Sequence, residues 1–192
     1  KDNATDSSDA TKITYYTPRV NGFQAGYSYV PNTAAAGSEV ERNSATEAEF
    51  HEASIGYKGK AGGAKFEVVG NFTRGEGEST GTDPNQSYRI SGRVSTGPWS
   101  VAASYVDRNQ HDYAKGSDEK AFMVGAAYKT GRMTIALTHL QSELTATETA
   151  FNDDYKQTSL SVGYNLGGGL KIAAGIAKFD MDADATATTN SN

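Results

Sequence analysis

The sequence predicts an all-β chain of antiparallel up-and-down strands, and three observations predict it. Apolar and polar residues alternate with a period of two. Short Gly- and Pro-rich turns alternate with long polar connections. Aromatic residues gather at both ends of the expected strands. Together they point to a transmembrane β-barrel, of which about ten strands are visible.

The alternation is clearest where Leu160, Val162, Tyr164 and Leu166 interleave with Ser159, Ser161, Gly163 and Asn165. Tyr88, Ile90, Gly92 and Val94 oppose Arg89, Ser91, Arg93 and Ser95 in the same way. So do Phe66, Val68, Gly70 and Phe72 against Lys65, Glu67, Val69 and Asn71. Trp99, Val101, Ala103 and Tyr105, then Phe122, Val124, Ala126 and Tyr128, then Met133, Ile135 and Leu137 continue the series. Successive side chains of a strand point to opposite faces, so period two is the strand signature; no window shows the helical i, i+3, i+4, i+7 spacing. Strands are expected near 12–17, 22–30, 50–58, 64–74, 86–96, 98–108, 119–129, 132–143, 156–166 and 170–180.

The connections order these strands. Short ones cover 18–22, 59–63, 96–98, 130–131 and 167–169, and supply the Gly and Pro that tight turns need. Long polar ones cover 31–49, 75–85, 109–118 and 143–155, and a further polar stretch runs over 181–192. A soluble sandwich has no reason to place every short turn at one end. A membrane barrel does, with short turns on the periplasmic side and long loops outside. About ten residues at roughly 3.3 Å each, tilted near 45°, rise roughly 23 Å, close to the apolar band of about 25 Å in such barrels.

The aromatics form two rows. Tyr57, Tyr128 and Tyr164 precede short turns, and Phe23 and Trp99 follow them. Tyr29, Phe50, Phe72, Tyr88, Tyr105, Phe122 and Tyr155 lie near long connections. Two membrane–water interfaces select such girdles, although Tyr and Phe favour strands in any setting.

Composition removes other classes. The 192 residues carry 23 acidic and 18 basic side chains, a net charge of -5, which leaves no basic face for nucleic acid. There is no cysteine, hence no disulfide or thiolate site. No apolar run is long enough for a transmembrane helix, and no basic-then-apolar export segment opens the chain. Mean hydropathy is -0.59, which suits a soluble protein and a water-filled barrel equally.

Particular segments now resemble a known family. Ile13-Thr14-Tyr15-Tyr16-Thr17-Pro18 leads through a Gly22-Phe23 turn into Gly26-Tyr27-Ser28-Tyr29. This resembles a hairpin of Gram-negative trimeric general diffusion porins, of α-proteobacterial flavour. Val124-Gly125-Ala126-Ala127-Tyr128 and Val162-Gly163-Tyr164 are similar to further strands of that family. The resemblance implies a passive outer-membrane pore for small hydrophilic solutes. It also implies a homotrimer and contact with the bilayer and its lipopolysaccharide. In the family that hairpin follows about five strands and the constriction loop, and one strand with a terminal aromatic closes the ring. Residues 1–192 are therefore expected to form a single porin domain but an incomplete barrel, strands 6–15 of sixteen.

A pore needs a polar wall and field-setting charges, not a catalytic group. The inward face is expected to present Lys65, Glu67, Arg89, Arg93 and Lys171, with Lys129 and Arg132 at a turn rim. Arg89 and Arg93 fall on one face of one strand. Such a pair resembles the basic wall of a porin pore, and equally fits a solvated, salt-bridged lumen. Asp180, Asp182 and Asp184 hint at a calcium loop, but Ala185 and Ser191 stand where an EF-hand needs Gly and Glu. An acidic exposed loop is expected there, and Asp153-Asp154 reads the same way. His51, His111 and His139 lack zinc spacing, Ser117-x-x-Lys120 lacks its partner motifs, and no Gly-rich nucleotide-binding unit occurs. No cofactor is expected. Two alternatives remain beside the pore: a surface-protease type of barrel enzyme, needing an Asp/His cluster at the outer rim, and a soluble all-β binding or assembly module.

Overall fold

A computed structural model describes residues 10–32, 47–77, 84–109, 117–146 and 151–183. The strands are β1 (Ile13–Tyr16), β2 (Phe23–Asn32), β3 (Glu47–Ala61), β4 (Ala64–Gly77) and β5 (Asn85–Thr96), then β6 (Trp99–Asn109), β7 (Ser117–Thr130), β8 (Met133–Ala146), β9 (Phe151–Gly167) and β10 (Leu170–Ala183). They form one ten-stranded sheet in sequence order, every neighbouring pair antiparallel. β1 and β10 are its edges, and they do not pair with each other.

Five two-residue turns set the hairpins, the first closed by a Val20–Phe23 bridge that lies beyond the end of β1. Asn21 and Gly22, Gly62 and Gly63, and Gly168 and Gly169 all have positive φ at both positions. At Gly97-Pro98 and Gly131-Arg132 the first residue alone is positive. These are the conformations whose twist matches that of paired strands. Their demand for positive φ is why glycine recurs here.

Most strands are longer than the alternation indicates, chiefly at the long-connection ends, although β1, expected over 12–17, spans only Ile13–Tyr16. β9 begins at Phe151 rather than near 156, and β10 runs to Ala183. A strand of 14 residues tilted near 45° rises roughly 33 Å. That exceeds the apolar band, so the outer ends leave hydrocarbon and their outward residues need not be apolar. Asp180 and Asp182 accordingly lie in β10, opposite Lys156 and Asp154, and Asp153 and Asp154 lie in β9. The loop expected at these aspartates is a pair of strands, and Asp184 lies outside the described residues. An extended ladder cannot wrap its ligands around one ion as a calcium loop does.

Register divides the sheet into two faces. Phe23, Tyr57, Val68, Gly92, Ala103, Val124, His139, Thr158 and Lys178 pair successively across β2 to β10. This row starts beside a short turn and ends near the far end of β10, the stagger that tilted barrel strands require. Its face is apolar over most of its height, and its large side chains are exposed: Ile55 59%, Ile90 57%, Leu137 52%, Ile176 73%. A soluble module would cover so continuous an apolar surface. The other face is polar, and it is the inner one. Buried Ser28, Val30, Phe50, Asn85, Ser87, Val106 and Arg108 lie on it.

Phe50 corrects an expectation. Glu49 takes φ 49 and the β3–β4 register shifts between Ala48 and His51, so a bulge lies there. Phe50 faces inward and is fully buried with Val30 and Ala10. Tyr155, opposite Met181 and Ser142, also faces inward. Neither belongs to an outer aromatic row.

The two faces should respond differently to charge. In urea unfolding from detergent micelles, Leu160→Arg is expected to lose about 2–4 kcal/mol, the cost of a cation at mid-bilayer on the lipid face. The adjacent Ser161→Arg, on the inner face, is expected to lose almost none.

Candidate functional site

The inner face of β4 to β8 frames a groove of about 350 Å³. Glu67, Val69, Ser91, Arg93, Ala102, Ser104, Met123, Gly125 and Thr138 contribute to its lining. Small residues at Ala102, Ser104 and Gly125 leave the space open. A Cβ on Gly125 would come within 3.0 Å of the Thr138 methyl. Hydroxyl pairs tie neighbouring strands along this face: Thr14 with Ser28 at 2.9 Å, Ser91 with Ser104 at 3.0 Å, and Ser95 with Ser100 at 2.8 Å.

The charged residues expected to line a pore are partly brought together. Glu67 Oε2 accepts from Arg93 Nη2 at 2.7 Å, and Glu67 Oε1 lies 3.4 Å from Lys58 Nζ. One carboxylate on β4 thus bridges two cations, one from each neighbouring strand. Arg89 stands farther up β5, opposite Asn71 and Val106. Lys65 faces Lys60 and Ser95 in register, and Lys171 faces Asn165 near the β9–β10 turn. Lys129 lies beside the β7–β8 turn on the same face, while Arg132 is in the turn, 3.4 Å from the Leu166 carbonyl.

Lys58 and Lys60 went unread in the sequence, yet the signal was present. Ile55 and Tyr57 alternate with Ser54, Gly56 and Lys58, which is the same two-residue rhythm. A second inner network lies at the long-connection end. Arg108 Nη1 meets Glu119 Oε2 at 3.0 Å, and Ser142 Oγ donates to Glu119 Oε1 at 3.1 Å. These residues sit at strand ends joined by a long connection, so only the register brings them together.

The aromatics of the outward face fall in pairs. Phe23 and Tyr57 have ring centroids 4.7 Å apart, and Trp99 and Tyr128 4.6 Å, both beside short turns. Phe72 and Tyr88 stand 5.1 Å apart towards the other end. Tyr29, Tyr105, Phe122 and Tyr164 share that face by register. The Tyr57 ring lies against Gly22 and Gly59, where a Cβ would collide with it. These rings are tilted to one another, and aromatic pairs of this spacing contribute about 0.5–1.5 kcal/mol beyond burial.

The histidines are apart. His51 Nδ1 lies 2.6 Å from the Tyr27 hydroxyl, with its ring 5.2 Å from Tyr29; His139 Nδ1 lies 2.9 Å from Thr158 Oγ1. They stand on β3 and β8, with four strands between them. His111 lies outside the described residues. An Asp/His cluster of the kind a surface protease needs is therefore not assembled among the described residues.

With this geometry in place, the chain can be set beside known proteins. A family model described as Gram-negative porin matches residues 1–184. An uncharacterized protein of Rickettsia bellii (strain RML369-C) is 27% identical over 158 residues, 82% of this chain and 30% of that protein. A porin structure refined at 1.8 Å superposes with a TM-score of 0.63 at 18% identity, over 91% of this chain and 60% of that one. OccAB4 of Acinetobacter baumannii gives 0.65 at 9% identity, over 91% and 48%. OmpF of Salmonella typhi gives 0.53 at 11% identity, over 88% and 61%. At such identities the structural likeness speaks for the fold. The chain spans less than two thirds of the length of each of these proteins.

The two ion-pair networks differ in exposure. Arg108 and Glu119 have side chains 7% and 22% exposed, against 57% and 34% for Arg93 and Glu67. Breaking a buried pair strands a charge, whereas a solvated pair contributes little. Glu119→Ala is expected to lower unfolding stability by about 3 kcal/mol. Glu67→Gln should leave the urea midpoint in place; an equal loss for both would contradict the contrast.

Proposed function

Because the chain belongs to the Gram-negative porin family of the bacterial outer membrane, we propose that it forms the wall of a water-filled channel through which small hydrophilic solutes and ions diffuse passively. The observation that carries this reading is the inversion of the usual protein interior. Exposed Ile, Leu, Val and aromatic side chains cover most of the outer face, and Ser, Thr, Gly, Asn, Lys, Arg and Glu predominate on the inner one. A lipid-facing surface and a wet lumen require that distribution.

Each group then has a role in this reading. Lys65, Glu67, Arg89, Arg93 and Lys171 line the lumen, and Lys58 and Lys60 join them. Phe23, Tyr57, Trp99, Tyr128 and Tyr164 form the periplasmic girdle beside the short turns. Tyr29, Phe72, Tyr88, Tyr105 and Phe122 form the outer one, beneath the polar strand ends that meet lipopolysaccharide headgroups. Passage needs no bond made or broken, so the wall acts only by solvating and by its field. The resemblance noted in the first thirty residues supports a homotrimer.

The test is reconstitution of the full-length protein in planar bilayers. Stepwise conductance that rises in proportion to salt concentration is expected. Insertion without conductance would sink the reading. Unheated samples on gels should run as three copies, and a monomer would remove the trimer alone.

A further inference from the structure

The inner wall carries its charge unevenly along its height, and from this we infer that the pore prefers anions, gathering them at its short-turn, periplasmic end. The solutes favoured are small carboxylated or phosphorylated molecules and chloride, over cations of similar size. The inference rests on the channel reading above and goes beyond it in naming the solute class.

The chain as a whole is acidic, with a net charge of -5. Its inner face beside the short turns is the reverse. Lys58, Lys60 and Lys65 flank Gly62 and Gly63, Arg93 precedes Gly97, and Lys129 and Lys171 flank the last two turns. The carboxylate described among them is Glu67, and both Lys58 and Arg93 draw on it. One negative charge shared by two cations neutralises only one. Towards the long-connection end the inner charges instead balance: Arg108 meets Glu119 at 3.0 Å, Lys12 meets Glu52 at 3.9 Å, and Arg89 and Asp153 on the same face cancel in number. Positive charge is therefore segregated to one mouth.

Lys60 and Lys65 are direct cross-strand partners. Like charges placed opposite each other destabilise a sheet. Both are exposed. A local rule broken without compensation in the fold marks a site kept for another purpose. Here that purpose is a field. Fixed charge on a low-dielectric wall raises the local concentration of the opposite ion, within a Debye length of about 8 Å at physiological salt. Rings of Arg and Lys act this way in anion-selective pores.

The experiment is the reversal potential of the full-length protein in planar bilayers under a steep KCl gradient. Chloride is expected to be about threefold or more as permeant as potassium. Lys60→Gln/Lys65→Gln/Lys129→Gln should lose most of that preference, and Lys60→Arg/Lys65→Arg/Lys129→Arg should keep it. Lys156→Gln, on the outer face, should change nothing. A pore that conducts with no preference, or prefers potassium, overturns the inference while leaving the channel reading intact. So does a Gln variant as anion-selective as the parent. If that variant fails to fold, the parent's reversal potential decides alone. Absence of any conductance instead sinks the channel reading itself.

Discussion

Everything in this sheet follows from the backbone's need for hydrogen-bond partners where water is absent. Each unpaired N–H or C=O in hydrocarbon costs several kcal/mol. The ten strands meet that need by pairing each with its sequence neighbour, antiparallel throughout. Once the ladder is imposed, side chains can only alternate between two faces. The chemical contrast between those faces is then the protein's working surface, with lipid on one side and water on the other.

The same ladder explains why the two ends of the sheet differ. At one end, two-residue turns hold adjacent strands in fixed register through positive φ at glycine. Charged residues beside those turns are therefore placed rigidly, and Lys58, Glu67 and Arg93 meet across three strands. At the other end the strands outrun the membrane, and the outward positions become Asp107, Lys120, Glu143 and Asp154. The inner positions there hold a more enclosed ion pair, Arg108 with Glu119.

Strand number, order and facing were legible in the sequence because period two and turn chemistry are both local signals. Leu160 and Val162 announce their face without reference to any neighbour. Strand ends were less legible. Over 151–155, Phe-Asn-Asp-Asp-Tyr has no apolar rhythm, since both faces of β9 are in polar surroundings by then. The bulge at Glu49 was hidden for a similar reason, since a non-glycine residue with φ 49 leaves no mark in composition; the inward facing of Phe50, by contrast, follows from its even spacing with Ser54 and Lys58. For the site, Arg89, Arg93, Glu67, Lys65 and Lys171 could be assigned to a face from alternation alone. Their partners could not, because the Glu67–Lys58 and Glu119–Arg108 contacts depend on register between strands. The Lys60–Lys65 opposition was within reach, since a two-residue turn at Gly62 and Gly63 fixes who stands across from whom.

The brevity of the turns has a last consequence, for how traffic could be controlled. Two residues cannot reach across an opening, so the hairpin tips described here have no chain to spare for a flap, plug or hinge at that mouth. These five tips hold their own stretch of the rim in a fixed place. What can vary there, between one homologue and the next or after a single substitution, is the electrical character of the rim. Evolution at this end would act on a voltage, whereas elsewhere it can act on a shape.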